Sequence, residues 1–128
     1  MDREIKRGDI YLTAFDPARG CEQKGTRPCL IVQNDIGNRY SPTVIVAAIT
    51  SRDKKQSLPI HYALPDTDLL SEKSIVLLEQ IRTIDKSRLL EYLGSLDETA
   101  MEEINRTLAL SVGLCESGKS EAENNRGP

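Results

Sequence analysis

Between Phe15 and Pro28 the chain reads F-D-P-A-R-G-C-E-Q-K-G-T-R-P, where Glu22, Gln23, Lys24 and Arg27 bring an acid, an amide and two cations close together. Asp16-Pro17 opens a turn, and Gly20 and Gly25 add backbone freedom, so the segment reads as a long polar loop between two strands. Loops of this length are functional or disordered, and the apolar strands on both sides favour function. An Arg guanidinium presents paired, planar donors to phosphate oxygens, and a Thr hydroxyl adds a further donor; the strongest strand signal delivers Thr50 and Ser51 at its end. Cleavage of RNA by its own 2'-hydroxyl needs a proton acceptor, a donor to the leaving oxygen and donors that hold a phosphorane's charge. Arg, Glu, Thr and Gln at loop and strand ends meet that need without a metal.

Other chemistries fit less well. A metal-dependent nuclease needs clustered carboxylates, and the pair Asp66 and Asp68 is better read as turn caps. The single histidine, His61, rules out a histidine-pair ribonuclease within one chain, and there is no G-x-S-x-G elbow or phosphate-cradling glycine loop. Cys21, Cys29 and Cys115 are an odd set without C-x-x-C spacing, hence read as reduced thiols rather than a disulfide or zinc framework. No metal and no cofactor is expected.

Net charge is -3, which taken alone argues against a nucleic-acid binder. The distribution is uneven: residues 1–60 carry ten Lys and Arg against seven Asp and Glu, and residues 61–128 carry seven against thirteen. The N-terminal half therefore has the cations to meet phosphates. The 128 residues fit one domain, taken as 1–115, followed by a polar tail over 116–128 expected to be disordered. No apolar run approaches the roughly 20 residues of a membrane helix and no charged-then-apolar leader precedes the domain, so a cytoplasmic location without membrane contact is the default.

These side chains must be carried by strands. Residues 1–7 read as a frayed start, and Gly8 to Phe15 alternates Ile10, Leu12 and Ala14 against Tyr11, Thr13 and Phe15, as a half-buried strand does. Cys29 to Val32 reads as a central strand opened by Pro28, and Thr43 to Thr50 as a buried one. One helical turn capped by Asn34 or Asp35 lies between them. A charged link over 51–57 leads to a short strand from Pro59 to Leu64. Asp66 to Leu70 reads as a capped helical turn, and Lys73 to Ile81 as another buried strand. There Glu79 and Gln80 either mark emergence from the core or line a site. Shorter strands follow over Arg82–Ile84 and Leu89–Leu93. The chain then forms a helix capped by Ser95 or Asp97, with Met101, Ile104, Leu108 and Val112 as its apolar stripe. The fold expected is mainly β: a small barrel of twisted antiparallel strands with a C-terminal amphipathic helix.

The blocks K-R-G-D-I-Y, G-C-E-Q-K-G-T-R-P, I-V-Q-N-D-I-G-N-R-Y-S-P-T-V-I-V-A-A-I-T and L-L-E-Q-I-R-T-I-D-K resemble the MazF/PemK toxin family, especially its Gram-positive type, over roughly Lys6 to Leu114. The resemblance implies an SH3-like barrel that forms a homodimer. It further implies a sequence-specific endoribonuclease of a type II toxin-antitoxin system, cutting single-stranded mRNA without metal to leave 2',3'-cyclic phosphate and 5'-hydroxyl ends. The partner implied is a cognate antitoxin that blocks the RNA groove. By position, Arg27 and Thr50 match the family's catalytic pair, and Glu22 a candidate proton carrier. RNA contacts are expected at Phe15, Gln23, Lys24, Gly25, Ser51, Leu58, Pro59, Ser74, Glu79 and Gln80. Lys24 departs from the glycine common in close relatives, and the tail after Cys115 has no counterpart. The competing readings are a gyrase-targeting toxin of the same fold, whose C-terminal tryptophan this chain lacks, and a non-catalytic SH3-like module, for which aromatics are scarce.

Overall fold

A computed structural model describes residues 3–15, 25–51, 59–65, 70 and 73–115. Six strands form one antiparallel sheet: β1 (Asp9–Ala14), β2 (Thr26–Ile31), β3 (Thr43–Ser51), β4 (His61–Ala63), β5 (Ser74–Asp85) and β6 (Leu89–Ser95). Their order across the sheet is β4-β5-β3-β2-β1-β6. The sheet is twisted and open rather than a closed barrel. Closure would need a ladder between the edges, yet β4 has only three residues and pairs with β5, while β6 pairs with β1.

Helix α1 (Asp35–Tyr40) links β2 to β3, and α2 (Glu98–Ser111) ends the described chain's regular structure. Asn34 caps α1 by accepting from Gly37 N–H at 2.8 Å. Gly37 packs closely there: a Cβ would sit 3.0 Å from the Gln33 side chain, which would have to shift. That Gln33 donates to Asn38 Oδ1 at 3.1 Å and to the Thr43 carbonyl at 3.0 Å, so the polar Q-N-D-I-G-N block is a satisfied internal network. Asp97 caps α2, accepting from Ala100 N–H at 2.8 Å. The alternative cap, Ser95, is still part of β6, and its hydroxyl donates to the buried Asp9 at 2.7 Å.

The sheet buries both faces over much of its centre. Ile10, Leu30, Ala47, Ile49, Val76 and Leu78 face α2 and meet its fully buried Ile104. On the other face Tyr11, Phe15, Cys29, Ile31, Val44, Val46 and Ile84 form a second cluster. Along β1 the Tyr11, Thr13 and Phe15 set is fully on the buried side, whereas of the alternating set Ile10 is buried and Leu12 and Ala14 are half-buried. Val112, read as part of the helical stripe, is instead the exposed residue after the last turn of α2.

Other boundaries shift for identifiable reasons. Arg3 to Arg7 packs rather than frays: Arg3 lies over the Tyr92 ring at 3.3 Å, and Arg7 donates through Nε to the Val32 carbonyl at 2.8 Å. The two strands read on either side of Arg82 are one twelve-residue strand, β5, bent at a bulge. Its register passes from Ala48↔Leu77 to Ala47↔Ile81, which leaves Leu78, Glu79 and Gln80 as the extra residues. The capped turn read at 66–70, apart from Leu70, and most of the charged link and the tail lie outside the described residues.

Because Ile104 is fully buried between helix and sheet, Ile104→Ala is expected to lower unfolding free energy by about 2–5 kcal/mol. Urea denaturation checks this. A loss below about 1 kcal/mol would mean that α2 is not seated on the sheet through that residue.

Candidate functional site

Two backbone bonds fix how β2 is oriented. Gly25 accepts from Phe15 N–H at 2.8 Å and Ile31 accepts from Gly8 N–H at 2.9 Å, so both carbonyls point toward the β1 side. Backbone groups alternate along a strand, so Arg27 and Cys29 also point toward β1 while Pro28 and Leu30 point toward β3. Proline has no N–H, and its missing donor therefore falls on the β3 side. The β2–β3 ladder accordingly runs from Ile31↔Val46 to Cys29↔Ala48 and ends there.

Carried two residues further, that register sets Arg27 opposite Thr50. Both share the face of Cys29 and Ala48, since side chains two apart on a strand point the same way. Arg27 is exposed and Thr50 is 7% exposed. An open-ended cation and a nearly buried hydroxyl thus flank the place where the ladder stops. On the other side of β2, Thr13 pairs with Arg27. Its buried hydroxyl donates to the Tyr11 carbonyl at 3.1 Å and lies 2.9 Å from Cys29 Sγ. Burial pushes the Cys29 thiol up to about 12, so beside Arg27 it is an inert packing group and not a nucleophile.

The remaining expected residues divide. Gly25 closes the polar loop: its carbonyl holds Phe15 N–H, and its φ of +77° is one that only glycine adopts freely. Phe15, expected as an RNA contact, is 0% exposed in the second core cluster, so its ring offers no stacking surface. Ser51 pairs with Ser74 at the end of the β3–β5 ladder, and by alternation both lie on the face opposite Thr50. Pro59 is exposed in the turn before β4, while Glu79 and Gln80 are two of the three bulge residues. Glu22, Gln23, Lys24 and Leu58 lie outside the described residues.

Two contacts were not anticipated. His61 Nε2 lies 3.1 Å from Glu79 Oε2, its side chain 2% exposed, and this pair ties β4 to the β5 bulge on the face that carries Arg27. The interruption of an apolar run by Glu79 was the available signal. Arg82 sets its guanidinium 5.3 Å from the Phe15 ring centre, on the same face, with Nη1 buried and without a hydrogen-bond partner. Nothing in the local sequence distinguishes it from a surface cation. Among the described residues, no group of three or more His, Cys, Asp or Glu could hold a metal ion.

Comparison with known proteins gives a consistent set of relatives. Residues 6–112 match the family described as PemK-like, MazF-like toxin of type II toxin-antitoxin system. An endoribonuclease MazF of Staphylococcus saprophyticus is 50% identical over 111 residues, covering 86% of this chain and 92% of that protein. Among solved structures, MazF from Deinococcus radiodurans superposes with a TM-score of 0.75 at 26% identity, covering 88% of this chain and 99% of that one. A mycobacterial endoribonuclease in complex with its cognate antitoxin gives 0.74 at 29% identity, with 87% and 97% covered.

Cys29 supplies a test of the packing beneath Arg27. Folding holds this thiol protonated where the unfolded one, near 9.0, ionises, so its stabilising contribution is full below pH about 9 and is lost as pH rises toward 12. Urea midpoints are expected to fall more between pH 8 and pH 10 for the parent than for Cys29→Ala. Equal falls would place the thiol in contact with solvent.

Proposed function

Because the chain belongs to the PemK-like, MazF-like toxin family of type II toxin-antitoxin systems, we propose that it is an endoribonuclease whose chemistry is carried by Arg27 and Thr50. The observation that carries this reading is the β2–β3 register, which brings those two side chains to one face where the ladder ends. The toxin acts on single-stranded mRNA at a short sequence, as a homodimer in the cytoplasm, and a cognate antitoxin silences it. Among the described residues no helix is long and apolar enough to cross a membrane.

In the reaction the 2'-hydroxyl beside the scissile phosphate attacks phosphorus, the P–O5' bond breaks, and the ends are a 2',3'-cyclic phosphate and a 5'-hydroxyl. Arg27 stabilises the added negative charge on the phosphorane oxygens. With a pKa above about 12, a guanidinium serves better as a fixed donor than as a proton acceptor. Thr50, held on a buried strand, supplies a hydroxyl donor in a fixed position at little further entropic cost. Glu22 is the acid assigned to carry the proton from the 2'-hydroxyl. While Ser51 and Ser74, on the face opposite Thr50, support the strand ends rather than touch the bases, bases flanking the cut are read by Gln23, Lys24, Gly25, Leu58, Pro59, Glu79 and Gln80. Phe15 contributes beneath them, by packing. Each charged step is met by a protein group, so no metal and no cofactor is called on.

Arg27→Ala and Thr50→Ala are each expected to lower cleavage of a long RNA by at least about a hundredfold, with fold and dimer unchanged by circular dichroism and gel filtration. Full cleavage by folded Arg27→Ala would sink the assignment. Cleavage is expected to persist in EDTA, with product 3' ends that resist ligation until the cyclic phosphate is opened and the resulting phosphate removed. A strict requirement for added magnesium, or 3'-hydroxyl ends, would show that the mechanism is another one.

A further inference from the structure

At the end of the sheet where β3 begins, a cavity of about 370 Å³ is lined by Arg3, Glu4, Ile5, Asn38, Arg39 and Lys86. Three of its six lining residues are cations, and its one acid, Glu4, pairs with Lys6 at 3.3 Å. This concentration stands out in a chain whose net charge is -3. The cations are held in place: Arg3 lies over the Tyr92 ring, Lys86 Nζ donates to the Asn38 carbonyl at 2.5 Å, and Arg39 sits 5.6 Å from the ring centre of Tyr40. Tyr40, next to the lining residue Arg39, is itself 75% exposed, so its ring is accessible beside that cation.

We propose that this cavity is a second contact for single-stranded RNA, gripping the backbone beyond the segment that is cut. The inference rests on the endoribonuclease reading. Non-specific single-strand sites combine cations that track phosphates with an aromatic face on which a base stacks, and both are found here. Thr43, where β3 starts, is seven residues from Thr50, about 23 Å at the usual strand rise. That distance is too great for one nucleotide and within reach of a short extended segment. RNA leaving the Arg27–Thr50 face would therefore meet Arg3, Arg39 and Lys86 only if it continues past the cut site. Lining that is mostly charged or polar favours a phosphate chain over a peptide, which would draw on the neighbouring Ile36, 76% exposed one turn before Tyr40.

The test uses the full chain and two RNAs that contain the mapped cut sequence, one just long enough to span it and one extended by ten nucleotides at each end. Both carry a 2'-deoxy sugar at the cut position for binding measurements. Arg39→Gln leaves the Lys86–Asn38 bond in place. It is expected to weaken the extended RNA several-fold, lower its salt slope by about 0.7, and leave the short RNA and its cleavage unchanged. Tyr40→Leu is expected to cost at least about fivefold on the extended RNA alone. Ile36→Ser should alter neither. Equal losses on both RNAs, no loss on either, or a variant that loses its dimer or its antitoxin instead would overturn the proposal. Failure of the parent to cut any RNA would instead defeat the endoribonuclease reading.

Discussion

Pro28 has no amide hydrogen to offer β3, and the rest of the site is arranged around that omission. Leu30, two residues along and also facing β3, lies within the ladder and keeps the buried half of β2 in register. At Pro28 the next donor is missing, so hydrogen bonding no longer holds the strands together just where Arg27 and Thr50 come opposite each other. One imino acid thus marks where the hydrogen-bonded half of β2, which sets orientation, gives way to the half that carries Arg27. β1 stays paired with β2 through Thr13↔Arg27 and Ala14↔Thr26, so that half is anchored on its other side.

The inner face beneath that opening is held by packing at some polar cost. Phe15 is fully buried against Ile31, Val44, Val46 and Ile84. An aromatic ring of its size removes about 150–250 Å² from water, worth roughly 4–6 kcal/mol at 25 cal/mol per Å². The unpartnered Nη1 of Arg82 above it costs about 1–3 kcal/mol, partly offset by the guanidinium's attraction to the ring face. The apolar term is larger, and the ring stays buried. Because Phe15 also donates its N–H to Gly25, the same residue pins both the base of the polar loop and the core beneath it.

Much of this was legible in the sequence because it depends on local chemistry. The β-branched run Thr43–Thr50 predicts β3, and the pairs Asn34 or Asp35 and Ser95 or Asp97 each contain the residue that caps a helix, Asn34 for α1 and Asp97 for α2. The misreadings come from long-range geometry. Glu79 and Gln80 were open to two readings, emergence from the core or lining of a site; the first misses the bulge, which has the same polar signature as a terminus, and only the partner strand shows that the ladder resumes at Ile81. From the family resemblance Phe15 was expected to touch RNA, whereas its place on the β1 face of Tyr11 puts it, 0% exposed, in the second core cluster. A closed barrel was expected from the number of short strands, but closure depends on edge pairing that no local pattern encodes. The frayed N-terminus was inferred from polarity alone, whereas the Arg3 and Arg7 side chains find partners in Tyr92 and the Val32 carbonyl, and the Arg7 backbone N–H donates to Asp35, all distant in sequence.

Charge shows the same contrast between average and arrangement. Electrostatic influence in physiological salt decays over about 8 Å, so a net charge of -3 spread over the whole chain says little about the potential at any one site. What a phosphate meets is the set of groups within that radius. Near the end of the β2–β3 ladder this is Arg27, and about 23 Å along β3 it is the cavity with Arg3, Arg39 and Lys86. The interval is nearly three screening lengths, so the two cationic regions act independently of each other. An acidic protein can therefore bind a polyanion when its cations are gathered at separate points of one surface. Only a ligand long enough to reach both points benefits from both.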